Sequence, residues 1–269
     1  MSLARSFLAT TALGLTLFVK TASADLTAED VWGDWRGYLE GMGYTVTAAE
    51  AAAGGTLKVS SISVASDGGP SVDAVTVRIS DLEFVENNDG SVAVMMPSEM
   101  PITIDVKNPA PQPLEQIGAV LTQTGQVMTV RGNASALAYD YSADTFGLAL
   151  TSLTKDGAPM EDVSVRFSMN GTALASKTDV TVSDTRSYAQ TMQISSVTYD
   201  LFMKEPDNVE QVSINGALSN LSFSGTSNLP AGDVSQTQDV AALLAQGFAF
   251  DGAFDANGTE TQIEITSEE

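Results

Sequence analysis

The chain has 269 residues, 43% of them apolar, which is enough to bury a sizeable core, and no break in composition divides it. Its 34 acidic residues against 12 basic ones leave a net charge of -22, a field that repels nucleic acid and broad anionic membrane surfaces. Cysteine and histidine are both absent. That excludes disulfides, thiolate metal sites, Ser-His and Cys-His nucleophiles, imidazole bases and ordinary zinc, haem or copper ligation, so neither a cofactor nor a metal centre is expected.

The first residues read as a secretory signal peptide over 1–24. Arg5 supplies the basic start, Phe7 to Val19 the apolar run, and Ala22-Ser23-Ala24 the cleavage site, so the mature chain begins at Asp25 after cut Ala24. The apolar run is shorter than the ~20 residues that span a bilayer, and no later stretch is apolar enough to do so. Export to the periplasm as one elongated domain, residues 25–269, with no integral membrane span, is the expectation.

A helix is predicted after Thr27, whose side chain can cap the first turn with Asp30. Val31, Trp35, Tyr38 and Leu39 recur on one face, and Gly41 and Gly43 end it. Trp32 and Trp35 are read as docking contacts onto a sheet. From Tyr44 the period becomes two. One hairpin runs Tyr44 to Ala51, Gly54-Gly55, Thr56 to Val64; a second runs Val75 to Val85, Asn87-Asn88-Asp89-Gly90, Val92 to Met96. Ile102, Ile104 and Val106 alternate before a loop with Pro109, Pro111 and Pro113. Further strands are expected at Val120 to Val130, Ala138 to Tyr141, Phe146 to Leu153, Val163 to Met169, Met192 to Met203 and Val209 to Phe223. A short helix is expected over Asp239 to Gln246. Phe248, Phe250 and Phe254 then share one face of a strand that turns back at Asn257-Gly258 into Thr261 to Thr266. These phenylalanines are candidate apolar ligand-facing residues, with core filling as the rival reading.

A weak repeat runs through the strands: LKVSSISV at 57–64, VRISDLEF at 77–84, MQISSVTY at 192–199, and the incomplete copies GALSNLSF at 216–223 and LALTSLTK at 148–155. Its two central apolar positions lie three apart, so a regular strand would send them to opposite faces. A β-bulge at the polar pair would restore one face; a change of pairing partner there is the alternative. Either way the pattern implies a mainly β fold, an elongated and strongly curved antiparallel sheet of hairpins with a polar pair at each bend, an N-terminal helix packed on it and a short helix near the C-terminus.

Catalytic signals are thin. Ser152 to Lys155 matches the S-x-x-K string, but on strand-periodic sequence, where the two side chains point apart; Lys155-Asp156-Gly157 reads as a turn. Asp140 and Asp144, beside Tyr139 and Tyr141, could form a paired-acid site, and Asp255, Asn257 and Glu260 resemble part of a calcium loop, although turn and strand readings explain both better. After Lys204 the chain has no basic residue.

The helix with Val31-Trp32 and Trp35, the hairpin opening Tyr44-Thr45-Val46-Thr47-Ala48, the segment from Gln123-Thr124-Gly125 to Asp144, and Gly247 to Gly252 together resemble an uncharacterised family of exported bacterial proteins, domain of unknown function twenty-one twenty-five. That resemblance implies no activity and no functional residues. In plan, a curved sheet with recurring polar bends is similar to AsmA-type envelope proteins, whose β-grooves carry lipid. Three readings follow: a non-enzymatic periplasmic protein that binds or scaffolds envelope partners, a carrier that shields lipid acyl chains in an apolar sheet groove, and a carboxylate-dependent hydrolase of envelope glycans. The sequence leaves the oligomeric state open.

Overall fold

The computed structural model describes residues 26–67, 74–107, 114–160, 164–183, 185–204, 211–230 and 244–266. One helix, α1 (Ala28–Gly41), packs on a single 15-stranded antiparallel sheet. The strands are β1 (Thr45–Ala53), β2 (Thr56–Ser66), β3 (Ala74–Ile79), β4 (Leu82–Glu86), β5 (Val92–Met95), β6 (Glu99–Lys107), β7 (Leu114–Thr124) and β8 (Val127–Asn133). They continue as β9 (Ala136–Lys155), β10 (Ala158–Pro159), β11 (Ser164–Val182), β12 (Thr185–Lys204), β13 (Gln211–Pro230), β14 (Ala249–Ala256) and β15 (Thr259–Thr266).

Several of these are halves of longer strands. β2 pairs with β4 through Thr56 to Val59 and with β3 through Ile62 to Ser66, while its other edge takes β1. β9 takes β8 and then β7 along one edge, and β13 takes β14 and then β15. The plan is therefore an up-and-down meander of long strands, each crossing one common seam. At the seam the inward-facing positions step by three: Val59 to Ile62, Ile79 to Leu82, Ala143 to Phe146, Gly171 to Leu174, Ile194 to Val197 and Leu218 to Leu221. In β2 the step is a bulge, because Ser61 and Ile62 together oppose Ala48 of β1. Left-handed backbone marks the line at Ser61, Gly125, Ala173, Asn220 and Gly258. For the non-glycine residues this costs ~1–2 kcal/mol each, which the paired strands on both sides enforce. The bulge reading of the repeat thus holds at Ser60-Ser61, and the three-position step keeps one face at Ser80-Asp81, Ser195-Ser196 and Ser219-Asn220. The copy at Thr151-Ser152 marks a second irregularity, where Gly118 opposes Ser152 but Ala119 opposes Leu150.

The face carrying Leu57, Val59 and Ile62 is the inner face, and α1 lies on its half nearer Thr56, Asn133 and Ala136. Thr27 caps the helix with Asp30 in a reciprocal capping box, and Gly43 follows its C-terminus at φ 86°. Val31 and Trp32 are buried, Trp32 and Trp35 pack on Phe84 of β4, and Trp32 Nε1 donates to Glu50 Oε1 at 2.8 Å. The far side of the same helix reaches β12, where Asp34 pairs with Arg186 and Tyr38 packs on Tyr188. Laid flat, β4 and β12 would stand ~24 Å apart across five strand spacings, twice the diameter of a helix. The sheet must curl around α1 to touch both of its flanks. The core follows that curl: Leu57, Val59, Leu82, Phe84, Val92, Val94, Val130, Leu137 and Val180 are all buried with Val31 and Trp32.

Two expectations need correction. Asn257-Gly258 is not a hairpin turn: β14 and β15 are collinear on one edge of β13, and Ser219 N–H donates to Gly258 O while Asn257 N–H donates to Ser219 O. The dipeptide supplies the left-handed residue of the seam instead. β11, β12 and β13 also run far past the expected strands, to Val182, back to Thr185 and on to Pro230. Lys155-Asp156-Gly157 does turn, with both Asp156 and Gly157 at positive φ. Of the expected short helix only Leu244-Ala245 is helical among the described residues. The signal peptide with Ala24 and Asp25, the prolines at 109, 111 and 113, Val163, Val209 and Asp239 lie outside the described residues.

Candidate functional site

Beyond the seam, away from α1, direct cross-strand partners place mostly apolar residues on the inner face, with Glu115 and Lys155 in its outermost row. Val77, Ile104, Ile117 and Leu153 form one row; Ile79, Ile102, Ala119 and Leu150 another. Leu121, Leu148, Met169 and Tyr199 form a third, and Phe167, Leu201, Ile214 and Ile263 a fourth. The outer face of the same strands is polar, with Arg78 bonded to Asp105, Gln116 donating to Asp105 at 2.8 Å, and Arg166 to Asp200 at 3.2 Å. Most of the inner side chains in these rows remain partly exposed. Among the described residues α1 is the element packed across the inner face, resting on β1, β2 and β4 and meeting β9 and β12 through Asp34 and Tyr38. One half of the apolar face is covered among the described residues and the other is not.

Aromatic rings lie flat on the uncovered half where glycine faces them. A Cβ at Gly171 would come within 2.1 Å of the Phe146 ring, and one at Gly216 within 2.4 Å of the Tyr199 hydroxyl. Glycine is needed there for close approach. Gly171→Ala should force Phe146 off its seat and cost about 1–3 kcal/mol in chemical denaturation, whereas an equal midpoint would show that the ring is free to lift.

Where the two halves meet, the sheet turns polar. Gln123, 2% exposed, donates to Pro97 O at 3.1 Å and accepts from the Tyr141 hydroxyl at 2.8 Å. Gln126 donates to Met96 O at 2.7 Å, while its own Oε1 is buried without a partner among the described residues.

On the α1 side a cavity of about 450 Å³ opens between the helix and β9, β11 and β12. Trp35, Tyr38, Tyr139, Tyr141 and Tyr188 wall it. Arg186 spans its end, donating to both Asp34 oxygens at 2.7 Å and lying 5.3 Å from the centroids of Tyr38 and Tyr188. Burial raises the Tyr139 hydroxyl well above the ordinary tyrosine range, helped by the charge of Asp34 and by the 2.8 Å bond it donates to that carboxylate. Burial would pull Arg186 down, but Asp34 outweighs it and holds the guanidinium above its usual value. Tyr188 is pushed up to about 12, first by burial. A tyrosine raised above its unfolded value of ~10 stabilises the fold fully below that pH and loses the contribution as pH rises through the folded value. Urea stability should therefore fall between about pH 10 and 12, and a profile flat across that window would contradict the burial of these phenols.

The sequence-predicted aromatic stripe is placed in part. Phe250 and Phe254, 63% and 59% exposed, sit on the inner face of β14, opposite Ser227 and Phe223; Phe223 and Phe250 stack at 6.5 Å. Phe248 precedes the strand and is half-buried. With Ile263 and Ile265 of β15, Phe250 and Phe254 carry the apolar face to the edge of the sheet. The carboxylate candidates are not assembled as an acid pair. Asp140 lies on the outer face between Arg131 at 3.1 Å and Lys177 at 3.4 Å, while Asp144 is the seam residue against Gly125. Asp255 is in β14, Asn257 in the seam and Glu260 in β15, and the described residues hold no cluster of metal-ligating side chains. Ser152 and Lys155 lie in β9. Asp34, Arg186 and Tyr188 escaped the sequence reading. Their one signal was the alternation of Arg186, Tyr188, Gln190 and Met192 in a chain with few cations.

No family model, no curated protein and no solved structure matches the chain. None of the described helices is long and apolar enough to cross a membrane.

Proposed function

We propose that the protein is an exported, non-enzymatic binding protein of the bacterial cell envelope that holds lipid acyl chains on the uncovered half of its inner sheet face. The observation that carries this reading is the seam. Stepping the strands by three keeps the same face inward through both halves, and the half beyond the seam is lined by apolar rows although α1 packs only on the other. A second apolar half that no described element covers is surface arranged for a ligand rather than for folding. Acyl chains fit its chemistry better than a protein partner does. Protein interfaces carry about one hydrogen bond per 100–200 Å², whereas the rows through Val77, Ile79 and Met100 across β3, β6, β7 and β9 are apolar on this face, and charge enters only in the outermost row, at Glu115 and Lys155. Along β11 the stretch from Val165 to Gly171 gives an apolar floor ~20 Å long, matched to an extended chain rather than to a compact solute.

Ile104→Asp places a carboxylate in the middle of that floor, where an apolar ligand would have to desolvate it. Displacement of a fluorescent fatty acid should weaken by about tenfold or more, with the circular dichroism spectrum unchanged. Undiminished binding by a folded Ile104→Asp protein would overturn the proposal.

A further inference from the structure

We infer that the cavity beneath α1 takes the headgroup of the same ligand, and that this headgroup is neutral and hydroxyl-rich, a glycosyl group rather than a phosphate. The inference rests on the acyl-chain reading above and adds the class of lipid.

The cavity is continuous with the apolar half through the inner face of β11. That face runs Val165, Phe167, Met169 and Gly171 to the seam, then Leu174, Ser176 and Thr178, the last two lining the cavity. From Gly171 to Ser176 is ~16 Å of strand, so one amphiphile can lie across both. Tyr141, which also lines the cavity, is tied to the seam by its bond to Gln123. The volume of about 450 Å³ falls within the ~300–1,000 Å³ of small-molecule sites.

Charge decides the headgroup. Asp34 and Arg186 are the cavity's ionised side chains, and each is consumed by the other in a two-point pair. Among the described residues lining the cavity no unpaired cation remains to receive a phosphate, and the chain's charge of -22 repels one. What the cavity does offer is Ser176, Thr178 and Gln190, lining it without a side-chain hydrogen bond among the described residues, beside the rings of Trp35, Tyr139 and Tyr141. Hydroxyl and amide groups next to aromatic faces suit a ring that is polar at its edge and carries C–H groups on its faces.

The test uses the exported full chain incubated with phosphatidylcholine vesicles that carry, in equal minor amounts, a monoglycosyl diacylglycerol and phosphatidylglycerol with identical acyl chains. After separation by flotation, the lipid retained by the protein is quantified. The glycolipid should be enriched about tenfold over phosphatidylglycerol. Thr178→Val with Gln190→Leu should bring the ratio close to one without lowering total lipid loading, and Ser176→Ala, a smaller change, should shift it in the same direction. Equal loading of the two lipids by the unaltered protein, a preference for phosphatidylglycerol, or a preference that survives these substitutions would overturn the headgroup assignment while leaving the acyl-chain surface standing. Failure to load any lipid would remove both.

Discussion

Arg186→Met should lower the unfolding free energy by about 3–5 kcal/mol, because it strands a carboxylate that has left water. Asp34 is 9% exposed and Arg186 17%, so neither can regain a full hydration shell when its partner is removed. The loss is larger than for solvent-exposed pairs, such as Arg36 with Glu40 on the helix or Lys58 with Glu83 on the sheet, whose attraction water screens. It also has a structural direction. The pair fastens the side of α1 that Phe84 does not hold, so the sheet should relax away from the helix at β11 and β12, and the hydrogen bond from Tyr139 should be kept only as a contact to an uncompensated charge. Asp34→Asn combined with Arg186→Met should recover part of the deficit, since the double change leaves a neutral group where the single change leaves an ion. Urea denaturation of the two variants measures this directly, and equal stability of Arg186→Met and the unaltered protein would show the pair to be solvated.

Phe84→Ala should cost a similar 3–5 kcal/mol by a different route. Phe84 is fully buried, and its ring meets Trp32 at 6.0 Å and Trp35 at 5.4 Å between centroids. It lies beneath both tryptophans of the chain, on a β4 segment whose neighbours Leu57, Val59 and Val94 already fill the space around it. A strand floor locked by its ladder cannot collapse into the void, so the cavity term is paid in full. The same substitution should shift tryptophan emission to the red as the indoles lose their cover. A change of under 1 kcal/mol with unchanged emission would mean that α1 is not seated on β4.

The seam was legible in the residues because it is made of short-range chemistry. Ser60-Ser61, Ser80-Asp81, Ser195-Ser196 and Ser219-Asn220 each interrupt a two-residue apolar rhythm at the point where the strand must insert a residue and keep its face. The helix was legible for the same reason, through Thr27, Asp30 and Gly43. The later part of β11 was not. Its inner residues Ser176 and Thr178 line a cavity and its outer residues Lys177 and Asp179 are polar too, so no alternation remained to betray a strand. Asn257-Gly258 misled because the dipeptide that closes a tight hairpin also supplies a left-handed bulge, and only pairing to β13 separates the two uses. The cavity itself could not be read locally: Asp34 and Arg186 stand 152 residues apart, and their meeting depends on how far the sheet curls.

Native mass spectrometry of the protein purified without detergent tests the proposed lipid surface most directly. Complexes heavier than the chain by the mass of one lipid should be abundant, and they should vanish in Leu201→Asp, which charges the floor between Phe167 and Ile214, while tryptophan emission shows α1 still docked. A spectrum of lipid-free protein alone, or adducts indifferent to the charge at position 201, would contradict the account.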